Sequence, residues 1–129
     1  MSRGANSSNI KSPGVLACVV PPNEWGPFLE SFGRSHEGWL TRLETKDTVT
    51  QECVVSHESP LQSVELDTED ERNLRINVVV KLDNKIVKHI LFLPSLVILR
   101  TFGSSREESL EIETLNTETT VYVRPRDDS

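Results

Sequence analysis

Two apolar runs joined by a two-residue polar break dominate residues 74–93. The first run, LRINVVVKL, is followed by Asp83 and Asn84 and then by the second run, KIVKHILFL. Asp and Asn tolerate a positive φ better than other non-glycine residues, so the pair can form the two-residue turn of a β-hairpin. Such a turn sets Leu82 opposite Lys85. The sequence therefore predicts a long antiparallel hairpin.

Counting outward from this turn predicts which side chains share a face. A nearly all-apolar face, expected on the core, contains the pairs Val80–Val87, Val78–His89, Ile76–Leu91 and Leu74–Leu93. A mixed face, expected to be half covered, contains the pairs Lys81–Ile86, Val79–Lys88, Asn77–Ile90 and Arg75–Phe92. A slip of one residue would exchange the faces and expose the apolar set, so the register is well specified.

The rest of the chain must supply further strands and a cover, because an isolated two-stranded hairpin is marginal in water. With 129 residues the chain has room for one core. We expect a disordered tail at 1–14, which is rich in Ser, Asn and Gly, a single domain at 15–125 and a second tail at 126–129. Residues 1–13 are polar and lack the apolar core of a secretion signal. No apolar stretch is long enough to span a bilayer. We therefore expect a cytoplasmic protein without a membrane partner.

One helix and several strands are predicted around the hairpin. Residues 23–36 are predicted to form the helix, with an apolar stripe at i, i+3, i+4 and i+7 made by Trp25, Phe28, Leu29 and Phe32. Asn23 is the expected N-cap, but Gly26 and Pro27 weaken the first turn, so a start nearer Gly26 is the alternative. Strands are predicted at 39–45, 49–55, 96–102, 110–114 and 119–123, the last two pairing Leu110 with Val123 and Ile112 with Val121. The apolar run 15–20 could add an edge strand, and 61–66 is either a weak strand or an extended connection. The fold class is α+β: one N-terminal helix packs on a strongly coiled antiparallel meander sheet of six or seven strands. Such a sheet could curl into a half-open barrel.

The segment WGPFLESFGRSHEGW, residues 25–39, resembles the opening of a family of small, uncharacterised bacterial proteins. The shared signature is W-x-x-F-L-x-x-F-x-x-x-H-E-G-W, and Lys88-His89, Leu93-Pro94 and the LEIE run of 110–113 agree with it. The resemblance covers about residues 19–125. It implies a small α+β domain with no assigned function, and it brings no catalytic residues to this chain.

Charge is unevenly distributed along the sequence. The formal net charge is −6, yet residues 72–100 contain six Lys or Arg residues and one acid, while the remainder contains eight bases and nineteen acids. The binding surface predicted from the sequence consists of Arg75, Lys81, Lys88 and Arg100. Two interpretations stay open: basic residues that keep a sheet edge soluble, or a patch for an anionic partner.

No catalytic, cofactor or metal motif is present. There is no GxSxG, no glycine-rich phosphate loop and no HExxH, and the acidic run near residues 65–71 lacks the glycine and terminal Glu of an EF-hand. Cys18 and Cys53 match no metal spacing and are expected to be buried thiols, although a disulfide is not excluded. His89 is the notable histidine, because the hairpin register places it on the apolar face, where it could line a pocket.

Three hypotheses about function follow. The first is a non-enzymatic binding or accessory module that recruits an unidentified protein partner, or forms a homodimer, through a sheet edge or the basic hairpin face. The second is a nucleic-acid-associated module that uses the basic patch of residues 72–100. The third is a small ligand-binding protein or enzyme with a pocket near His89. The sequence favours the first hypothesis, a binding or accessory module, over an enzyme.

Overall fold

The computed structural model describes residues 15–103 and 106–126, apart from the Val15 side chain. The predicted tail at 1–14 and residues 127–129 of the second tail lie outside this part of the chain. The described elements are β1 (Val15–Val19), a 3₁₀ turn (Pro22–Glu24), α1 (Trp25–Ser35), β2 (Leu40–Asp47), β3 (Cys53–Val55), β4 (Ser59–Asp67), β5 (Arg75–Leu82), β6 (Lys85–Phe92), β7 (Leu96–Phe102), β8 (Glu108–Glu113) and β9 (Thr117–Arg124).

The strands form one antiparallel sheet that does not close. Their spatial order is β1-β7-β8-β9-β2-β4-β5-β6, and β3 pairs with β2 beside this path. The predicted α+β class, one helix on a coiled antiparallel sheet, is confirmed. Within residues 15–103 and 106–126 the sheet has nine strands rather than six or seven. Two pairings, β9 with β2 and β1 with β7, join strands that are distant in sequence.

The sheet folds over at the junction of β2 and β4. These strands pair only through Leu40–Pro60 and Thr41–Ser59, after which β4 leaves β2 and pairs with β5. Two layers result, β1-β7-β8-β9-β2 and β4-β5-β6, and the buried apolar residues of both layers belong to one cluster. Burial of this cluster is the main favourable contribution to folding.

Helix α1 completes the core. Trp25, Leu29 and Phe32 of its apolar stripe are buried in the cluster, and Phe28 packs against it. The buried indole Nε1 of Trp25 donates a 3.0 Å hydrogen bond to the carbonyl oxygen of Val20. Asn23 is not the N-cap: a 3₁₀ turn at Pro22–Glu24 precedes the helix, which begins at Trp25 with no side-chain cap, next to the alternative start near Gly26.

The β8–β9 hairpin is shifted by two residues from the predicted register. Leu110 pairs with Val121 and Ile112 pairs with Thr119. The reason is a tight turn in which the Thr114 N–H donates to the Thr117 carbonyl oxygen at 2.9 Å and the two hydroxyls lie 2.6 Å apart. A shift of two residues keeps each side chain on its predicted face, so the apolar residues still reach the core.

Two further predictions were wrong. Strand β3 spans only Cys53–Val55, because Asp47 Oδ1 accepts the N–H groups of Val49 and Thr50 and bends the chain into a turn. Cys18 and Cys53 are free and exposed rather than buried. Both lie on strands with one neighbour among the described strands, and residues 16–19 and 53–55 around them are all exposed.

Candidate binding edge and cleft

The central hairpin has the predicted register at every position from Leu82–Lys85 to Arg75–Phe92. Asp83 occupies the turn with a φ of 57°, a conformation that Asp tolerates because its short side chain bonds locally. On the core face Ile76, Val78 and Val80 are buried, which confirms the assignment of that face. On the mixed face Val79 and Asn77 are also buried, whereas the facing residues of β6 are not.

Strand β6 is an edge strand of the described sheet, since it pairs with β5 and ends the strand order. The N–H of Leu93, the residue after β6, donates to the Leu74 carbonyl oxygen at 2.9 Å. In an antiparallel ladder hydrogen-bonded and non-hydrogen-bonded pairs alternate. The odd-numbered residues of β6 therefore bond to β5, and the backbone N–H and C=O groups of Ile86, Lys88, Ile90 and Phe92 point away from it.

The same four residues carry the exposed side chains of the mixed face. Ile86, Ile90 and Phe92 are 61%, 40% and 57% exposed, and Lys88 is exposed between them. Natural proteins commonly protect a long edge strand with charges, proline, bulges or a covering element. Lys88 is the charged residue within this outward-facing row. The β6 edge thus combines unpaired backbone groups with an exposed apolar surface.

The predicted basic residues separate into two groups. Arg75 lies on the mixed face but is held by Asp67 at 3.1 Å and Glu69 at 3.9 Å. Arg100 lies on β7, which pairs with β1 and β8, and it bonds Glu111 at 2.9 Å. Lys81 and Lys88 are exposed and have no ion-pair partner in the described part of the chain. The structure therefore brings Arg75, Lys81 and Lys88 onto one face and leaves Arg100 apart.

A cleft opens beside the β6 edge, between the two layers of the sheet. Its volume is about 440 Å³, and its wall is formed by Leu43, Thr45, His89, Ile90, Leu91, Phe92, Leu93 and residues 114–117. His89 is partly buried there, and its burial lowers the pKa of the imidazole below the usual 6.5. Its ring has no hydrogen-bond partner among the described residues. The cleft thus contains one neutral, available imidazole.

The other two histidines, His36 and His57, do not line this cleft. His36 is buried at the end of α1, with Nδ1 2.7 Å from the Phe32 carbonyl oxygen and Nε2 3.1 Å from Glu108 Oε1. Its ring packs between Phe32 and Trp39. Both nitrogens are therefore occupied by the protein itself, and His57 is exposed. These contacts give His36 a structural role that joins α1 to β8.

Sequence reasoning placed His89 where it could line a pocket and predicted a sheet edge as a working surface, but it identified neither which strand is that edge nor the opposite wall of the cleft. The alternation of the hairpin identified the face of Lys81 and Lys88 and placed His89 on the core face. The opposite wall comes from β2 and the β8–β9 turn, whose position beside β6 depends on how the sheet bends between β2 and β4. No signal local to either segment contains that information.

A metal-binding cluster and a membrane-spanning helix are both absent from the described ranges, 15–103 and 106–126. These ranges contain no group of three or more His, Cys, Asp or Glu residues arranged to hold a metal ion. No helix in them is long and apolar enough to cross a membrane.

Comparisons with known proteins gave no match: no family model, no curated protein and no solved structure is detectably similar to this chain. The resemblance of residues 25–39 to a bacterial family stays a prediction.

Proposed function

We propose that this protein is a non-enzymatic binding module that recruits an extended segment of a partner protein as an additional strand on β6. One observation supports the proposal: the same residues of β6 combine backbone groups that point away from β5 with exposed side chains. These residues are Ile86, Lys88, Ile90 and Phe92. In strand addition, main-chain hydrogen bonds supply affinity and the alternating side chains supply specificity. The β6 edge offers both along eight residues.

The charge of the hairpin indicates an acidic partner. Lys81, Lys85 and Lys88 have no ion-pair partner in the described ranges, and Asp83 is the one acid of the hairpin. Five arginines, by contrast, are held by carboxylates: Arg34, Arg42, Arg75, Arg100 and Arg124. An acidic, apolar segment would neutralise the lysines. A second copy paired through β6 would instead add like charges to the same strip.

The nucleic-acid alternative has less support. Single-strand binding combines a continuous basic groove with several exposed aromatic faces. Arg75 and Arg100 are engaged by acids, Arg100 lies on a different layer of the sheet, and Phe92 is the exposed aromatic residue of the hairpin. These placements interrupt the basic patch of residues 72–100 that the sequence suggested.

A proline substitution tests strand addition directly. Proline at position 88 removes an N–H that points away from β5, so the β5–β6 ladder is retained, whereas Lys88→Ala removes the charge and keeps the N–H. The probe is a fluorescent ten-residue peptide in which Glu and Leu alternate, and a scrambled peptide of the same composition is the control. Fluorescence anisotropy should show that Lys88→Pro weakens binding about tenfold relative to Lys88→Ala.

Amide hydrogen exchange gives the second readout. Bound peptide should slow exchange at Ile86, Lys88, Ile90 and Phe92, because their N–H groups become hydrogen-bonded, and should change the odd-numbered amides little. Binding that is equal for the two Lys88 variants, or protection confined to other strands, would contradict the proposal. Salt-sensitive binding of a single-stranded oligonucleotide in preference to the peptide would favour the nucleic-acid alternative.

A further inference from the structure

We infer that the cleft beside His89 is a specificity pocket that accepts one large, uncharged side chain of the strand added to β6. This inference rests on the function proposed above. It adds the class of residue that the partner must present at one position, and it assigns roles to His89 and Leu115 as residues that determine specificity.

Continuity between the edge and the cleft is the first argument. His89 and Leu91 line the cleft with their side chains. The alternate residues Ile90 and Phe92 direct their backbone N–H and C=O groups away from β5. Successive side chains of a strand point to opposite faces of the sheet. An added strand would therefore send every second side chain to the inner face, and those beside residues 89–91 would enter the cleft.

The chemistry of the wall is the second argument. The residues that line the cleft include no Lys, Arg, Asp or Glu. Two hydroxyl pairs are already satisfied within the protein, Thr45 with Thr119 at 3.0 Å and Thr114 with Thr117 at 2.6 Å. A charged side chain that entered would lose water and gain no countercharge, which is strongly unfavourable. An apolar side chain would instead contact Leu43 and Leu91.

His89 supplies a polar group on the β6 side of the cleft, and the exposed Asn116 supplies another at the β8–β9 turn. The ring of His89 has no partner in the described part of the chain, and the neutral imidazole has one donor and one acceptor nitrogen. A neutral ligand group that reaches the ring can bond to it without a charge on either side. The cleft volume, about 440 Å³, lies in the range of sites that take drug-sized groups, so a large side chain is accommodated.

A positional scan tests the pocket separately from the edge. Each Leu of the Glu-Leu peptide is replaced in turn by Asp, and affinities are measured by fluorescence anisotropy. We expect one inward position, or two adjacent ones, to lose at least tenfold in affinity, while substitution at the remaining Leu positions changes affinity less than threefold. Uniform sensitivity along the peptide would overturn the inference.

Variants of the protein identify the pocket. Leu115 is exposed on the β8–β9 turn, so Leu115→Lys places a cation at the rim without disturbing the core or β6. His89→Lys places a cation inside. Both should reduce the penalty for Asp at the sensitive position at least threefold, and Leu115→Ala should not. An unchanged penalty in both lysine variants would overturn the inference.

The outcomes distinguish the two proposals. If Lys88→Pro weakens the binding of every peptide and the scan shows uniform sensitivity, strand addition is supported and the specificity pocket is overturned. A failure of every peptide to bind the wild-type protein would overturn both.

Discussion

Gly33 of α1 lies so close to β4 that a Cβ atom at position 33 would be 2.6 Å from the backbone nitrogen of Val64. The backbone of β4 supplies the three nearest atoms, which are held by pairing with β5, so they cannot move aside cheaply. Gly33 is buried within the helix. The absence of a side chain at this position is therefore what allows α1 to approach the sheet.

We expect Gly33→Ala to destabilise the protein by about 1–3 kcal/mol, although alanine favours a helix over glycine by about 1 kcal/mol. Gly26→Ala is the matched control in the same helix, because its Cβ would meet only Leu66 Cδ2 at 4.0 Å. It should stabilise by about 0.5–1 kcal/mol. Urea unfolding measures both. Equal effects of the two substitutions would contradict the close approach.

Residues 74–93 show how much of this fold can be predicted from sequence. The register of the hairpin was predicted correctly because apolar residues alternate on both sides of a two-residue turn, so local chemistry is sufficient. The β8–β9 register was missed because the predicted and the observed registers differ by two residues, and both keep the apolar residues inside. Only the hydrogen bonds between Thr114 and Thr117 decide between them.

The candidate site was predictable in part for the same reason. Lys81, Lys88 and Arg75 were placed on one face by the alternation of the hairpin. Arg100 was grouped with them because it is near in sequence, but β7 pairs with β1 and β8 instead. The wall of the cleft opposite His89 is formed by residues 43, 45 and 114–117, and long-range pairing of this kind leaves no local pattern.

Leu93 adopts a φ of 55° in the link between β6 and β7, a conformation that is unfavourable for a bulky side chain. Because glycine adopts it without strain, Leu93→Gly should be more stable than Leu93→Ala by about 1 kcal/mol. Both variants remove the same half-exposed side chain, so their difference isolates the backbone. Chemical unfolding measures it, and an alanine variant as stable as the glycine variant would contradict backbone strain at Leu93.

The pair Glu58–Arg124 ties the segment before β4 to the end of β9 through two hydrogen bonds of 2.8 Å. The side-chain hydrogen bonds from Arg124 hold the pKa of Glu58 below its usual 4.5. A double-mutant cycle with Glu58→Gln and Arg124→Gln should give a coupling energy of about 0.5–1 kcal/mol that decreases with added salt. Glu30–Arg34, with one 3.4 Å contact on an exposed helix face, is the control and should give less. Equal coupling for both pairs would exclude a special contribution from the bidentate geometry.

Burial in the cleft should make the stability of the protein depend on the protonation of His89. Its pKa is lowered in the folded state from 6.5, the value that the unfolded chain retains. In the interval just below 6.5 the unfolded state therefore binds more protons than the folded state, and the free energy of unfolding falls as the pH falls. The decrease ends once the folded-state histidine is also protonated.

Urea unfolding of the wild type and His89→Gln across the range from about pH 8 to about pH 5 measures this contribution. The wild type should lose more stability over that range than the variant, since glutamine stays neutral while the other two histidines are common to both proteins. Loss of the Glu58 contribution falls in a separate window, because that carboxylate is protonated only as the pH drops through and below 4.5. Parallel pH profiles for the two proteins would show that the imidazole of His89 is as well solvated in the cleft as in the unfolded chain.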